Sequence, residues 1–165
     1  MSEALETPAP GSAGESPEER PTVRVSGLAI VEGRVLLVRQ QRDQATYWLL
    51  PGGGVRFAES FAVAIAREFT EETGVSIRPG AVIALGESIS PDPIPYAKHV
   101  IHVVMDVVID DVGAVAEPGD SAILECAWLP PRALRALDLR PPIAEFICAH
   151  IDRPAADVTY LGVLW

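Results

Sequence analysis

From Thr22 onward the chain consists of short apolar runs, rich in β-branched residues and separated by turn formers. Residues 23–31 predict a strand, Glu32-Gly33 a turn, and residues 34–40 (RVLLVRQ) a second strand, so together they predict a hairpin. Trp48, Leu49 and Leu50 make a brief apolar run that ends at Pro51 and three glycines. Residues 60–73 change rhythm and predict a helix, with Ser60 as N-cap and Gly74 as terminator. Residues 75–89 and 99–109 are again β-rich, and the stretch between them, SPDPIPY at 90–96, carries three prolines and predicts a loop. A strand is expected over 122–129 and helices over 131–137 and 142–151, each entered through a proline in its first turn. The last residues, 158–165 (VTYLGVLW), are apolar enough to dock on the body as a strand. Many strands and few helices in mixed order predict an α/β or α+β chain, a sheet sandwiched by helices.

Residues 1–21 (MSEALETPAPGSAGESPEERP) lie outside this pattern. They offer almost no bulky apolar side chain to offset the entropy of ordering, so they read as a flexible acidic tail. The expected organisation is a tail over 1–21, one domain over 22–152, and a C-terminal apolar segment over 153–165.

Charge narrows the partners. Thirteen basic against twenty-three acidic residues leave −10, with a pI near 4.7. Nucleic acid is gripped by basic residues that displace counterions, so no nucleic-acid partner is expected. No run of eighteen apolar residues and no signal-like N-terminus occurs, so neither a membrane span nor export is expected. Cys126 and Cys148 sit in apolar stretches without metal-ligand spacing, which suits free thiols in a reducing cytoplasm.

The predicted helix carries unusual chemistry. Phe61, Ile65 and Phe69 form an apolar stripe at about 100° per residue, with Ala62 and Ala66 beside it. Glu68 and Glu72 fall within about 20° of Phe61 on the same wheel, and Glu71 lies next to them. The helix is therefore core-facing where it begins and carboxylate-lined where it ends. Like charges four apart repel, and acids near a helix C-terminus oppose its dipole. Arg67 can compensate in part through a pair with Glu71, and a hard divalent cation can supply more.

The surrounding residues extend the pattern. Gly53, then five residues, Glu59, then seven residues, then Arg67-Glu68-Phe69-Thr70-Glu71-Glu72-Thr73-Gly74-Val75 resembles the Nudix box at each of its nine specified positions. The resemblance implies a Nudix-like α/β/α sandwich with a mixed β-sheet between helices, and a box folded as loop–helix–loop. It implies that Glu68, Glu71 and Glu72 bind Mg²⁺ or Mn²⁺ with help from the carbonyl of Gly52 or Gly53. Arg67, Glu59, Gly53 and Gly74 would hold the loop and helix together, with Arg67 counted among the catalytic set. The reaction it implies is hydrolysis of a phosphoanhydride in a nucleoside diphosphate linked to another group. The general base would be Glu68 or a downstream acid, for which Glu117, Asp120 and Glu125 are the candidates.

Beyond the box the residues offer less. Trp48 could stack on a base, Arg39 and Arg42 could reach phosphates, and Tyr96 could cover a substrate. His99 and His102, three apart in a predicted strand, face opposite sides and do not form a metal pair. Pro91 lies sixteen residues past Val75, where members resembling ADP-ribose pyrophosphatases carry a proline. The expected substrate is therefore ADP-ribose or a nucleotide sugar, with nucleoside triphosphates as the alternative. A regulator that only binds a nucleotide is the alternative of another class. A homodimer through residues 158–165 is a further expectation, set against a strand within the chain.

Overall fold

The structure is a computed structural model that describes residues 20–42, 44–90, 99–111 and 117–164. The tail before Arg20, most of the proline loop, Tyr96 and Pro91 lie outside the described residues. Strand β1 (Thr22–Val31) turns at Glu32 and Gly33 into β2 (Arg34–Arg42). Both turn residues have positive φ, 49° and 69°, as a two-residue hairpin turn that matches strand twist requires. Next come β3 (Ala45–Leu49), β4 (Gly52–Gly54), helix α1 (Phe61–Thr73), β5 (Ile77–Ile89) and β6 (His99–Ile109). The chain continues through β7 (Ile123–Leu129), α2 (Pro131–Leu134), α3 (Ala144–Asp152) and β8 (Thr159–Val163).

The strands run in the order β3-β2-β1-β6-β5-β8, with β4 added beside β1 and β7 beside β2. Pairings β1–β6 and β5–β8 are parallel and the rest antiparallel, so the sheet is mixed. Its two faces have separate cores, sorted by the two-residue period of the strands. Val25, Ala29, Leu36, Val103, Met105 and Val107 pack with Ile65 and Phe69 of α1. Leu28, Val35, Leu37 and Val104 point the other way and pack with Leu134, Ile143 and Ile147. This is the expected α/β/α sandwich with a mixed sheet between helices. Residues 159–163 lie as a parallel strand beside β5, and Leu161 and Leu164 pack into the second core.

Three details depart from the sequence pattern. The glycines after Pro51 form a strand, because β1 offers them an antiparallel partner from Arg24 to Ser26. Helix α2 stops at Leu134, and the next residues continue in tighter turns, Ala136 N–H to the Ala133 carbonyl and Leu137 N–H to that of Leu134. Pro142 precedes α3 instead of opening it, since Ile143 is the residue at the N-cap. Among the described residues no helix is long and apolar enough to cross a membrane.

Candidate active site

Helix α1 begins as its sequence dictates. The Ser60 hydroxyl accepts from the Val63 N–H at 3.3 Å, and the Gly74 N–H closes on the Thr70 carbonyl with φ 70°. Ala64, Ile65 and Phe69 are fully buried against the sheet, whereas Phe61 at the outer end of the stripe stays exposed. One turn from Phe69 the same face carries Glu72, which is only 8% exposed.

Glu72 is held by its neighbours in the sheet. Its Oε2 accepts from the Gly52 N–H at 2.8 Å. Burial pushes its carboxyl up to about 7; the Gly52 N–H and the Arg24 cation pull it down, while Glu68 and Asp120 push it further up. Glu68 lies against Gly53 so closely that a Cβ there would occupy the place of its carboxylate. Gly52, at φ 150°, likewise leaves no room for a Cβ above the Val25 carbonyl. The box glycines thus let β4 and the carboxylate end of α1 meet.

Arg67 ties the loop to the helix. Its guanidinium takes Glu59 in a two-pronged pair at 2.8 and 2.9 Å, Glu68 at 2.5 Å, Glu71 at 3.3 Å and the Gly54 carbonyl at 3.2 Å. Hydrogen bonds from Arg67 and from the Arg56 N–H hold Glu59 down at about 2. Arg67 gathers Glu68 and Glu71, and no three His, Cys, Asp or Glu side chains among the described residues stand, as placed, in a metal-holding arrangement. The donor set nevertheless fits a hard cation in kind: three carboxylates near the C-terminal end of α1, beside exposed backbone at Gly54, with Glu71 half-exposed.

The C-terminal carbonyls of α1 are capped from outside the box. The Glu117 N–H donates to the Thr73 carbonyl at 3.0 Å and the Gly119 N–H to that of Glu72 at 3.1 Å. The Cys126 thiol also points at the Glu72 carbonyl, at 3.8 Å. This brings Asp120 into electrostatic range of Glu72, with its Oδ1 accepting from the Ala122 N–H at 2.8 Å. Glu125 instead pairs with Arg39 at 2.9 Å.

A cavity of about 420 Å³ opens beside β1 and β3. Arg24, Gln40, Tyr47, His102 and Arg140 line it, with Arg42, Leu49, Val100 and Pro141 completing the wall. Arg24 joins the two regions, since it lines the cavity and feels Glu72 and Glu68. Its Nη2 donates to the Leu50 carbonyl at 3.4 Å and its Nε is buried with no hydrogen-bond partner. Burial of the guanidinium lowers its pKa, and the two carboxylates raise it again. His102 is buried with Nε2 2.8 Å from the Ser88 hydroxyl, and burial pushes it down to about 4, so it is neutral at pH 7.

Comparison with known proteins gives the family. Residues 20–150 match the family profile described as the NUDIX domain. The chain is a Nudix hydrolase. It is 31% identical over 130 residues to Phosphatase NudJ of Escherichia coli (strain K12), covering 78% of this chain and 82% of that protein. The MutT protein structure from Methanosarcina mazei Go1 superposes with a TM-score of 0.66 at 27% identity, over 84% of this chain and 99% of that one. A structure from Streptococcus suis titled an ADP-ribose pyrophosphatase superposes at 0.64 and 20% identity, over 86% and 99%, and shares the fold.

In this Nudix hydrolase Glu68, Glu71, Glu72, Arg67, Glu59 and Gly52–Gly54 are brought together. Arg39 and Trp48 are not part of the cavity. They are cross-strand partners, and the pleat turns them to the face opposite Gln40, Tyr47 and Leu49. Arg39 is occupied by Glu125 and lies over the Trp48 ring at 5.8 Å, while Trp48 packs on the second core. His99 meets Glu87 at 3.1 Å and lies apart from His102. Sequence reasoning missed Arg24, Gln40, Tyr47 and Arg140. Alternation along β2 and β3 could have separated Gln40 and Tyr47 from Arg39 and Trp48, but Arg140 needed the fold.

Proposed function

We propose that the chain cleaves a phosphoanhydride in a nucleoside diphosphate linked to another group, ADP-ribose or a nucleotide sugar being the first choice. The observation that carries the reading is the junction at Arg24, which has the box carboxylates on one side and the cavity on the other. That arrangement separates a place for phosphates from a place for the rest of the molecule. Glu68, Glu71 and Glu72, with the backbone carbonyl of Gly52 or Gly53, are assigned to hold Mg²⁺ or Mn²⁺. Such a cation, when bound, neutralises diphosphate oxygens and makes water a better nucleophile.

The rest is done by the protein. The Gly52 N–H orients the Glu72 carboxylate, and the Arg67–Glu59 pair keeps the loop seated over the helix. The base that takes the proton of the attacking water is assigned to Glu68 or a downstream acid; of the downstream acids, Asp120 acts electrostatically on Glu72 and Glu125 is paired with Arg39. The free thiols Cys126 and Cys148 suit the cytoplasm to which this reading assigns the protein.

A phosphate-release screen with Mg²⁺ and Mn²⁺ tests the reading, with chromatography to identify the bond cut. Preferred turnover of ADP-ribose or a nucleotide sugar supports it. Preferred turnover of nucleoside triphosphates, ordinary or oxidised, replaces it with a sanitising role, and silence with the linked diphosphates overturns it.

A further inference from the structure

The segment before α3 is fastened to β3 along its backbone. The Trp48 N–H donates to the Asp138 carbonyl and the Arg140 N–H to the Trp48 carbonyl, both at 2.8 Å. Leu139 forms a bridge with Trp48 in the same place. These bonds hold the segment without help from the Arg140 side chain, yet that side chain is fixed as well. Asp138 takes its Nε and Nη2 at 3.1 and 2.8 Å, and the guanidinium lies over the Tyr47 ring at 4.5 Å.

A guanidinium arranged in this way has one edge neutralised and one face covered. Arg140 also lines the cavity, and its side chain stays half-exposed. Flat cationic planes of this kind receive flat rings, as bases stack on arginine and aromatic planes. Among the described residues the cavity wall has no carboxylate and presents the Gln40 amide, whose oxygen accepts from the Tyr47 hydroxyl at 3.3 Å and whose N–H groups are donors. Such a wall suits a ring with acceptor atoms on its edge.

We propose that Arg140 is a specificity-determining residue whose guanidinium plane, backed by Tyr47 and fixed by Asp138, stacks on a planar heteroaromatic ring of the substrate. The inference rests on the proposed function only in taking the cavity as the place of the group beyond the phosphates. It makes the chain selective for diphosphates that carry such a ring over those that carry a sugar alone.

Calorimetric binding of AMP, GMP, CMP and UMP, each compared with ribose 5-phosphate, isolates the ring, because none of these ligands contains an anhydride to be cut. At least one nucleotide is expected to bind about tenfold more tightly than ribose 5-phosphate. Arg140→Lys, which keeps the charge for Asp138 but lacks the plane, should remove most of that advantage and leave ribose 5-phosphate unchanged. Arg140→Ala should do the same, with thermal melts confirming that both variants fold. The proposal is overturned if the wild-type chain shows no ring advantage, if both variants retain it, or if ribose 5-phosphate weakens equally. Since binding is read without turnover, a failed phosphate-release screen and a failed ring preference are separate results.

Discussion

Two arginines flank the box carboxylates in opposite surroundings. Arg67 is saturated: it meets Glu59, Glu68, Glu71 and the Gly54 carbonyl. Arg24 has one long hydrogen bond, to Leu50, and a buried Nε–H with no partner. The first is a piece of scaffold, and its charge is consumed in holding the loop. The second is a cation kept in the interior mainly by the field of Glu72 and Glu68, with donor capacity still to use. Both serve the same acids, so the chemistry of a residue type says less than how its hydrogen bonds are spent.

The comparison can be broken in order of size. Glu72→Gln removes the carboxylate that both regions share and should cut Mg²⁺-dependent phosphate release about 100-fold or more, while the fold persists. Full activity in that variant would remove Glu72 from the site. The same substitution has a stability signature. The folded-state pKa of Glu72, about 7, lies above the unfolded value near 4.5. The folded chain therefore binds more protons between those values, and stability present below about 4.5 is lost as pH rises through 7. The loss in the metal-free protein amounts to about 3 kcal/mol, and Glu72→Gln should flatten that pH dependence in denaturant titrations.

Next in size is Arg67→Lys, which keeps a cation but loses the fork that grips Glu59. A fall of about 10–100-fold in metal affinity is expected, with a lower melting temperature. Arg24→Met should raise KM about tenfold with a smaller change in kcat, as expected for a lost ground-state contact. It should also move the metal-free stability transition of Glu72 to higher pH, because the cation opposing burial is gone. A variant that lost kcat alone would make Arg24 scaffold like Arg67. Arg39→Ala is the smallest and sharpens the contrast. Its exposed pair with Glu125 is worth less than about 1 kcal/mol, and kcat/KM should change less than about twofold. A tenfold rise in KM would return Arg39 to the substrate.

Local chemistry was legible where partners are near in sequence. Ser60 with Val63, Gly74 with Thr70, Arg67 with Glu71 and the two-residue turn at Glu32-Gly33 follow from spacing. The inward turn of Glu72 also showed on the helical wheel, because Phe69 and Glu72 share a face. What could not be seen depends on distant pairing. Gly52–Gly54 became a strand only because β1 lies beside it, and Arg24 reached the acids through that same pairing. Arg140 enters the cavity from a segment held to Trp48 by backbone bonds, which carry no side-chain signature.

The amides that close α1 have a dynamic consequence. Glu117 and Gly119 belong to a solvent-facing loop, yet their N–H groups end on carbonyls of the helix. Their hydrogens should exchange with solvent at the rate at which the helix end opens, slower than other surface loop amides by the same factor. The loop and the last turn of α1 then open as one cooperative unit. Asp120 travels with that unit, so an acid that acts electrostatically on Glu72 shares the helix's clock.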